Sequence, residues 1–379
     1  MKNSLLNTKN KVKKKLNNII YIQIYLFIIK MTKNIDLSNK SINEIPDFVY
    51  KSSELKKLNL AWNIILEIPI DISNLTQLEE LNLSSNRIAY ISENIYSLNN
   101  LQELKLQNNY ISKIQENISN LTNLKILNLS NNRILIIQES ICNLINLKKL
   151  FLNSNRILSI PENISKLTNL EILNLTNNNI SVIHNNISKL NNLTELILSK
   201  NILSIIPDNI SELTNLKILD LDSNKISVIP ENINKLTNLK LLKLSENKIT
   251  PFSINLNNLE ELFLSFNNIS IISNLDKLTN LKILELSKNN ISDISEIIDN
   301  LTILEKLYLH DNKISIIPNN ISNLVNLQEL NLDNNQITKI PINIINCKKI
   351  IYFYYDNNPI ENISPHVNRF LDRIMNIDE

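Results

Sequence analysis

Leucine recurs every 23 residues across the middle of this chain, and this period constrains the fold more than any other feature. The leucines that mark it are Leu55, Leu78, Leu101, Leu124, Leu147, Leu170, Leu193, Leu216 and Leu239. Within each period the residues follow the pattern L-x-x-L-x-L-x-x-N-x-I-x-x-I-P-x-x-I-x-x-L-x-x. A unit of this size cannot bury its apolar residues alone, so the sequence predicts an array in which each copy packs on the next.

The x-L-x-L-x part of each copy alternates leucine with other residues, which predicts a short β-strand. In the copy that begins at Leu147, the alternating leucines are Leu150 and Leu152. Strands of adjacent copies then form one parallel sheet with a spacing of about 4.8 Å. The second half of the copy, with Ile157 and Pro161, returns the chain on the opposite, convex side. We therefore expect a curved solenoid with a continuous core of Leu and Ile.

This pattern resembles the leucine-rich repeat family in its 23-residue I-P-x-x-I form, over roughly residues 32–360. It is similar to the repeats of intracellular Ras-scaffold and Ras-suppressor proteins. The resemblance implies an α/β leucine-rich-repeat solenoid, with a curved parallel β-sheet on the concave face and short helical or irregular convex segments. It also implies a signalling scaffold or regulatory subunit, and a cytoplasmic location.

Asparagine occupies one position of the repeat in fourteen copies, where the chain leaves the strand and turns inward. These residues are Asn63, Asn86, Asn109, Asn132, Asn155, Asn178, Asn201, Asn224, Asn247, Asn267, Asn289, Asn312, Asn335 and Asn358. An amide carries donors and an acceptor, so it can satisfy backbone groups of the turns above and below. In leucine-rich repeat proteins such a row is an asparagine ladder. We expect these residues to be structural, and Asn155 to be buried and bonded to backbone.

The chain contains no glycine. This excludes a phosphate-binding P-loop, a G-x-G-x-x-G dinucleotide fingerprint and a G-x-S-x-G nucleophile elbow. Turns that need a positive φ must use the next most tolerant residue, and we expect Asn in them. With 39 basic and 37 acidic residues the net charge is +2, which gives no reason to expect nucleic-acid or membrane binding.

Residues that could carry catalysis are scattered along the chain. His184, His310 and His366 fall in distant coils and share no ligand spacing with cysteines or carboxylates, so we expect no metal and no cofactor. Carboxylates line neighbouring strands, but an open sheet face excludes little water, and nothing in the sequence indicates shifted pKa values. We interpret them as a solvated acidic face, and expect neither enzymatic activity nor a small-molecule substrate.

The x residues of each strand segment face outward on the concave side, and those of the last third differ from the rest. Aromatic residues there are Phe263, Phe266, Tyr308, Tyr352 and Tyr354, whereas the first half has Trp62 and Phe151. From Leu216 onward the acidic ones are Asp220, Asp222, Glu246, Glu261, Glu285, Asp311, Glu329, Asp333 and Asp356, and the basic ones are Lys243, Lys288 and Lys306. Nine acidic minus three basic residues leaves a surplus of six negative charges.

Aromatic side chains anchor interfaces and clustered charge steers partners, so this region predicts a binding surface for a protein that is basic where it makes contact. The residues that we assign to partner binding are Phe263, Phe266, Tyr308, His310, Asp311, Tyr354, Asp220 and Asp222. The competing interpretation is packing at the end of the array for Tyr352 and Tyr354, and chance for the others.

We divide the chain into four segments at residues 31, 54 and 349. Residues 32–54 form a degenerate first repeat that caps the array, with Lys40 at the ladder position and Ser52 at a leucine position. Repeats occupy 55–349, and 350–379 contain the last repeat and a helix that begins at Ser364 and Pro365. Apolar residues follow at helical spacing in Pro365–Met375, so the helix is expected to cover the end of the core, or alternatively to bind a partner.

Residues 1–31 stand outside the array and combine a lysine-rich start with an apolar run from Ile19 to Ile29. The run is too short to span a bilayer, and no small-residue cleavage site follows it. Three interpretations stay open: a tail or upstream-translated segment with Met31 as the true start, an export signal or anchor, and an extra cap. An export signal would make the protein a secreted or surface-anchored recognition protein instead.

Cysteine usage favours the reducing compartment. Cys142 and Cys347 fall about nine coils apart, roughly 40 Å at 4.8 Å per coil, too far for a disulfide within one chain. Two copies also break the period: the one at Leu239 has 20 residues and the next has 22. The short copy has Thr250-Pro251-Phe252 in place of the I-P-x-x-I arc, so we expect either repeat drift or a local change of curvature that shapes a binding surface.

Overall fold

The computed structural model describes residues 31–375, so the predictions made for residues 1–30 and 376–379 lie outside the described residues. The chain divides into two compact units. The N-terminal unit ends at Asn155 and the C-terminal unit begins at Arg156. Both consist of short parallel strands that alternate with turns of 3-10 helix, which confirms the predicted solenoid architecture within each unit.

The N-terminal unit contains six parallel strands in sequence order. They are β1 (Asn34–Asp36), β2 (Lys57–Asn59), β3 (Glu80–Asn82), β4 (Glu103–Lys105), β5 (Ile126–Asn128) and β6 (Lys149–Phe151). The 3-10 helices between them are Val49–Lys51, Ile70–Asn74, Glu93–Ser97, Glu116–Asn120 and Glu139–Asn143. Lys57 lies opposite Glu80, and Glu80 opposite Glu103, so each residue pairs with its counterpart in the next repeat.

The C-terminal unit has nine strands in its main sheet and a second sheet of two. The strands are β7 (Ile172–Asn174), β8 (Glu195–Ile197), β9 (Ile218–Asp220), β10 (Leu241–Lys243), β11 (Phe252–Ser253), β12 (Glu261–Phe263), β13 (Ile272–Ser273), β14 (Ile283–Glu285), β15 (Lys306–Tyr308), β16 (Glu329–Asn331) and β17 (Tyr352–Tyr354). The 3-10 helices are Glu162–Lys166, Asn185–Lys189, Asp208–Glu212, Glu231–Lys235, Leu275–Lys277, Asn319–Asn323 and Ile342–Asn346. Two α-helices are present among the described residues, α1 (Ser295–Ile298) and α2 (Pro365–Met375).

The core lies behind each main sheet. The central leucine of a strand is buried and its two neighbours face outward, as Leu307 shows between the half-buried Lys306 and Tyr308. Isoleucines and leucines of the return segment close the core from the other side, including Ile72 and Leu75, both fully buried. Full burial of such a side chain contributes about 1.5–3 kcal/mol, so the stacked rows stabilise what single coils cannot.

The convex segments form 3-10 turns because consecutive apolar residues point inward every three residues. The N–H of Ile72 donates to the carbonyl of Pro69, and the N–H of Leu75 donates to that of Ile72. This spacing matches the three residues per turn of a 3-10 helix, and it buries Ile72, Leu75 and Leu78 on one side.

The prediction that Asn fills the positive-φ turns is wrong at most positions. In fourteen coils the residue just before the ladder asparagine has φ between 52° and 59°. Asparagine fills five of these positions, and the others are Trp62, Ser85, Ser154, Lys200, Ser223, Glu246, Phe266, Lys288 and Asp311. Neighbouring coils fix this conformation through backbone bonds, such as the one from the Trp62 N–H to the Ser84 carbonyl, 3.0 Å. Tertiary structure therefore overrides the local preference.

The two irregular copies differ from the rest on the convex side. Phe252–Ser253 pairs in parallel with Ile272–Ser273, so β11 replaces a 3-10 helix in the 20-residue copy. Leu275–Lys277 forms a shortened 3-10 helix, and Ser295–Ile298 forms one turn of α-helix in the copy that follows. The sequence indicated that these copies are irregular, but it did not predict the second sheet.

The first repeat and the C-terminal helix differ from the repeats between them. At the first repeat, the backbone N–H of Lys40 donates to the Oδ1 of Asn63, 3.0 Å, and Ser52 is fully buried in place of a leucine. At the other end α2 buries one face, formed by Val367, Phe370, Leu371 and Ile374. This face packs against β17 and the helix Ile342–Asn346.

Candidate interaction surface

Strand pairing in the C-terminal unit brings four of the eight predicted binding residues into one row. Successive partners across the sheet are Asp220, Lys243, Phe263, Glu285, Tyr308, Asn331 and Tyr354. All seven stand on the outward side of their strands, next to a buried leucine or Phe353. We call this row, together with Asp222, Phe266, His310 and Asp311, which follow it in the same coils, the acidic aromatic face.

A second part of the face is formed where the chain leaves each strand. Phe266 and Asp311 occupy the positive-φ position in their coils, with φ of 56° in both. Phe266 is 48% exposed, so it is available for contact. Asp222 and His310 lie between the two rows and are half-buried. The structure thus brings the eight predicted residues to one side of one unit.

The aromatic rings of the face are held by neighbouring side chains. The Nζ of Lys288 lies 4.3 Å from the ring centre of Phe266, and the Nζ of Lys243 lies 5.3 Å from that of Phe263. The hydroxyl of Tyr308 donates to the Oε2 of Glu329, 2.8 Å. Cation–π contacts of this kind contribute about 0.5–1 kcal/mol when exposed, so they orient the rings without burying them.

Tyr352 and Tyr354 lie on the last strand of the C-terminal unit, with parallel rings 6.4 Å apart. They are 43% and 42% exposed, so packing at the end of the array does not bury them. Phe353, which points inward between them, is buried instead and contacts Tyr355 at 5.1 Å between ring centres. The two outward tyrosines therefore extend the face to its last strand.

Several of the acidic side chains accept backbone hydrogen bonds. The Oδ1 of Asp222 accepts the N–H of Ser245, 2.6 Å, and that of Asp333 accepts the N–H of Asp356, 2.6 Å. Burial, reinforced by the neighbouring Asp220, raises the pKa of Asp222 to about 7. Burial also raises the pKa of Asp333. The expectation of unshifted carboxylates is wrong here, and Asp222 carries less than a full negative charge near pH 7.

His310 is the one histidine on this face. Its Nδ1 is buried and has no hydrogen-bond partner among the described residues. No group of three His, Cys, Asp or Glu side chains within residues 31–375 is arranged to hold a metal ion. The face offers rings, hydroxyls and carboxylates, which is the chemistry of a binding surface.

The ladder asparagines of both units lie at the edge of the core. In each of the fourteen, the amide oxygen accepts a backbone N–H of the preceding coil. The Nδ2 of Asn312 donates to the carbonyls of Leu286 and Leu309, at 2.9 and 3.1 Å. Asn312 is buried, whereas Asn155 makes the same bonds but is only half-buried, so the prediction that Asn155 is buried is wrong and the prediction that it bonds to backbone is confirmed.

Sequence reasoning missed a concavity on the sheet of the N-terminal unit. It has a volume of about 370 Å³ and is lined by residues of β1 to β4, including Asp36, Lys57, Asn59, Glu80 and Lys105. Lys57 and Glu80 form an ion pair at 2.6 Å. Lysine and glutamate in matching positions of adjacent repeats were the signal that could have revealed it.

Comparisons with known proteins identify the family. A leucine-rich repeat region model matches residues 89–202 and 185–296, and further leucine-rich repeat models match 279–337 and 77–98. A leucine-rich repeat protein of Leptospira interrogans is similar in structure, with a TM-score of 0.82 and 30% identity over 92% of this chain and 95% of that one. No curated protein matches the sequence. The chain belongs to the leucine-rich repeat proteins, a class of protein–protein interaction modules.

Two other solved structures are similar. The plant peptide hormone receptor RGFR1, in complex with RGF2, has a TM-score of 0.78 and 29% identity, covering 90% of this chain and 58% of that one. An internalin from Listeria monocytogenes has a TM-score of 0.71 and 26% identity, with 89% of each chain covered. Within the described residues, none of the helices has the length and apolar character that crossing a membrane requires.

Proposed function

We propose that this protein is a non-enzymatic scaffold or regulatory subunit of the cytoplasm, which binds a protein partner through the acidic aromatic face. The partner is basic at its contact surface. The observation that carries the proposal is the alignment of Phe263, Tyr308 and Tyr354 in one row beside Phe266, with Glu285 between the first two. Aromatic anchors supply most of the affinity of such a surface, and the surrounding charge supplies speed of association.

The scaffold role rests on the 23-residue I-P-x-x-I repeat, which is similar to that of Ras-scaffold and Ras-suppressor proteins. A reducing compartment is supported by Cys142 and Cys347, which are both buried thiols and not partners in a disulfide. The face is proposed to bind neither nucleic acid nor a small-molecule substrate, because its outward residues are mainly aromatic and acidic.

A second candidate is a secreted or surface-anchored recognition protein. It is favoured by similarity to extracellular receptor regions, such as the leucine-rich repeat ectodomain of a plant membrane receptor kinase, at 25% identity and a TM-score of 0.58. Mass spectrometry of the mature N-terminus separates the two candidates. A mature chain that begins after the apolar run at Ile19–Ile29, recovered from the medium or cell surface, would exclude the cytoplasmic role.

The proposed surface is tested by affinity capture from cell extract, followed by titration of the captured partner against variants. Phe266→Ala and Tyr308→Ala should each weaken binding by about 1–2 kcal/mol. Matched changes in the N-terminal unit, Glu80→Ala and Lys105→Ala, should leave binding unchanged. Loss of binding in these controls, with normal binding by the Phe266 and Tyr308 variants, would move the site to the other unit. Added salt should slow association more than it speeds dissociation.

A further inference from the structure

From β12 to β17, the row that contains Phe263, Tyr308 and Tyr354 has an aromatic residue on every second strand of the main sheet. Phe263 on β12 pairs with Glu285, which pairs with Tyr308 on β15. Tyr308 in turn pairs with Asn331, and Asn331 with Tyr354 on β17. Aromatic and polar positions thus alternate along a line that crosses the strands.

This alternation sets a distance that few peptide conformations match. Neighbouring strands lie about 4.8 Å apart, so the aromatic positions repeat about every 9.6 Å. A polyproline II helix has three residues per turn and rises about 3.1 Å per residue, which repeats every 9.3 Å or so. A β-strand presents alternate residues to one side, about every 6.7 Å. An α-helix presents residues seven apart on one side about every 10.5 Å, which is off by about 2 Å over the two intervals between three rings, against about 0.6 Å for polyproline II.

We propose that the acidic aromatic face binds a proline-rich, basic segment in the polyproline II conformation, which lies across β12 to β17 with every third residue on an aromatic ring. The proposal rests on the proposed function of the same face and specifies its partner. Proline-rich segments dock in aromatic-lined grooves because their conformation is already fixed in the free chain. The prolines rest against Phe263, Tyr308 and Tyr354.

Polar positions between the rings complete the match. Glu285 lies between Phe263 and Tyr308, where its carboxylate attracts a lysine or arginine of the segment. Asn331 lies between Tyr308 and Tyr354, and its amide oxygen accepts the N–H of Asp333, 3.0 Å. This orients its NH2 group, which can donate to a peptide carbonyl, since a polyproline II backbone makes no internal hydrogen bonds.

The rings are also ordered before a ligand arrives. The Tyr308 hydroxyl is bound to Glu329, and the ring of Tyr354 stacks on that of Tyr352. Lys243 lies over the Phe263 ring at 5.3 Å. Ordered side chains lose little rotamer freedom on binding, so the face is suited to a ligand that is equally restricted.

Synthetic peptides test the proposal by fluorescence polarisation with the full chain. The probe is a labelled peptide of four Pro-Ala-Lys repeats. Two controls keep its charge and spacing: four Gly-Ala-Lys repeats remove the polyproline II preference, and four Ala-Ala-Lys repeats favour an α-helix. We expect the proline peptide to bind about tenfold more tightly than either control.

A register variant tests the spacing itself. Glu285→Tyr combined with Tyr308→Glu keeps the number of rings and the net charge, but moves the middle ring by one strand. We expect this variant and Phe263→Ala each to lose about tenfold in affinity for the proline peptide. Phe151→Ala is the matched control, because Phe151 has the same repeat position on β6, and it should bind normally. Thermal unfolding of each variant checks that it folds.

Other results would overturn the proposal in distinguishable ways. Equal binding of all three peptides, with no effect of the register variant, would show an acidic face that attracts basic chains without recognising their conformation. Tightest binding of the Ala-Ala-Lys peptide would assign the face to a helix. Binding of none of the peptides to the wild-type protein, while a captured basic partner still requires Phe266 and Tyr308, would reject the proline-rich segment but keep the proposed function.

Discussion

The two units share one fold but differ in what their sheets present outward. Lysine and glutamate of adjacent repeats form ion pairs in both units: Lys57 with Glu80 at 2.6 Å on the N-terminal sheet, and Lys306 with Glu329 at 3.5 Å on the C-terminal sheet. On the C-terminal sheet, acidic residues outnumber basic ones and stand among exposed aromatic rings such as Phe266. The charges on the N-terminal sheet therefore largely balance, whereas the C-terminal sheet keeps a surplus of negative charge and exposed aromatic area that a partner could contact.

Inward-facing and outward-facing positions of the repeat are under different constraints. Inward positions repeat the same leucine and asparagine in both units, because each must fit the coil above and below. Outward positions carry no such requirement, so they can change without loss of the fold. Residues that the repeat pattern leaves unspecified can therefore differ between the two units while the fold stays the same.

The largest effect should come from removing the helix that covers the end of the C-terminal unit. Deleting residues 364–379 removes four buried apolar side chains of α2 and uncovers the last coil. We expect the free energy of unfolding to fall by about 4 kcal/mol or more, together with self-association. Urea unfolding and size-exclusion chromatography measure both.

A point variant distinguishes the loss of the apolar contacts of α2 from the effect of shortening the chain. Phe370→Asp should reproduce much of the loss, because Phe370 is buried, whereas Arg369→Asp on the exposed side should not. A truncated protein that stays monomeric with an unchanged unfolding midpoint would mean that α2 is no cap. It would then be available to bind a partner.

The next effect compares a ladder asparagine from each unit. Asn312→Ala should lower the free energy of unfolding by about 2–3 kcal/mol, because it strands buried backbone groups. Asn155→Ala should cost less, about 1–2 kcal/mol, since water reaches the half-buried site. Asn323→Ala, at an exposed position outside the ladder, serves as the control in the same urea titration. Equal urea unfolding midpoints for the three variants would show that the ladder asparagines do not stabilise the fold.

Sequence reasoning predicted the strands and the helix Pro365–Met375 because these follow from periodic burial. It also predicted that the eight residues assigned to partner binding face one way, since the position of a residue within the repeat determines the direction of its side chain. It failed where the outcome depends on neighbouring coils: the pairing of β11 with β13, the positive φ of Trp62 and Phe266, and the raised pKa of Asp222. Each requires distances between residues that are about twenty positions apart.

Asp222 gives a prediction on pH. Its folded pKa of about 7 exceeds the ordinary value of 3.8, so the folded state holds this proton more tightly than the unfolded state. Stability should therefore fall as the pH rises from about 4 through 7. Asp222→Asn keeps an acceptor for the Ser245 N–H and matches Asn153, which has the same repeat position in the N-terminal unit.

We expect Asp222→Asn to be more stable than wild type by about 1–2 kcal/mol at pH 8, with the difference vanishing near pH 4. Thermal unfolding across this range measures it. Glu261→Gln, a change of another outward carboxylate in the same unit, is the control. A constant difference between wild type and Asp222→Asn at every pH would show that Asp222 titrates normally.

The smallest effect concerns the two aromatic residues held at positive φ, one in each unit. Trp62 is 67% exposed and Phe266 is 48% exposed, and both have a left-handed backbone that costs a non-glycine residue about 1–2 kcal/mol. Glycine removes this cost, but it also raises the conformational entropy of the unfolded chain, which offsets part of the gain. Trp62→Gly should therefore stabilise the protein by about 0.5–1 kcal/mol. Phe266→Gly should stabilise it less, because it also loses the contact with Lys288.

Binding then distinguishes the two positions. If the strain at Phe266 is retained because its ring contacts the partner, Phe266→Gly should weaken binding of the captured basic partner about fivefold while the protein stays folded. Trp62→Gly should leave that affinity unchanged, because the N-terminal sheet is proposed to take no part. A loss of binding in Trp62→Gly alone would contradict the proposal. The partner would then bind the sheet of the N-terminal unit, which has the 370 Å³ concavity, and the acidic aromatic face would take no part in binding.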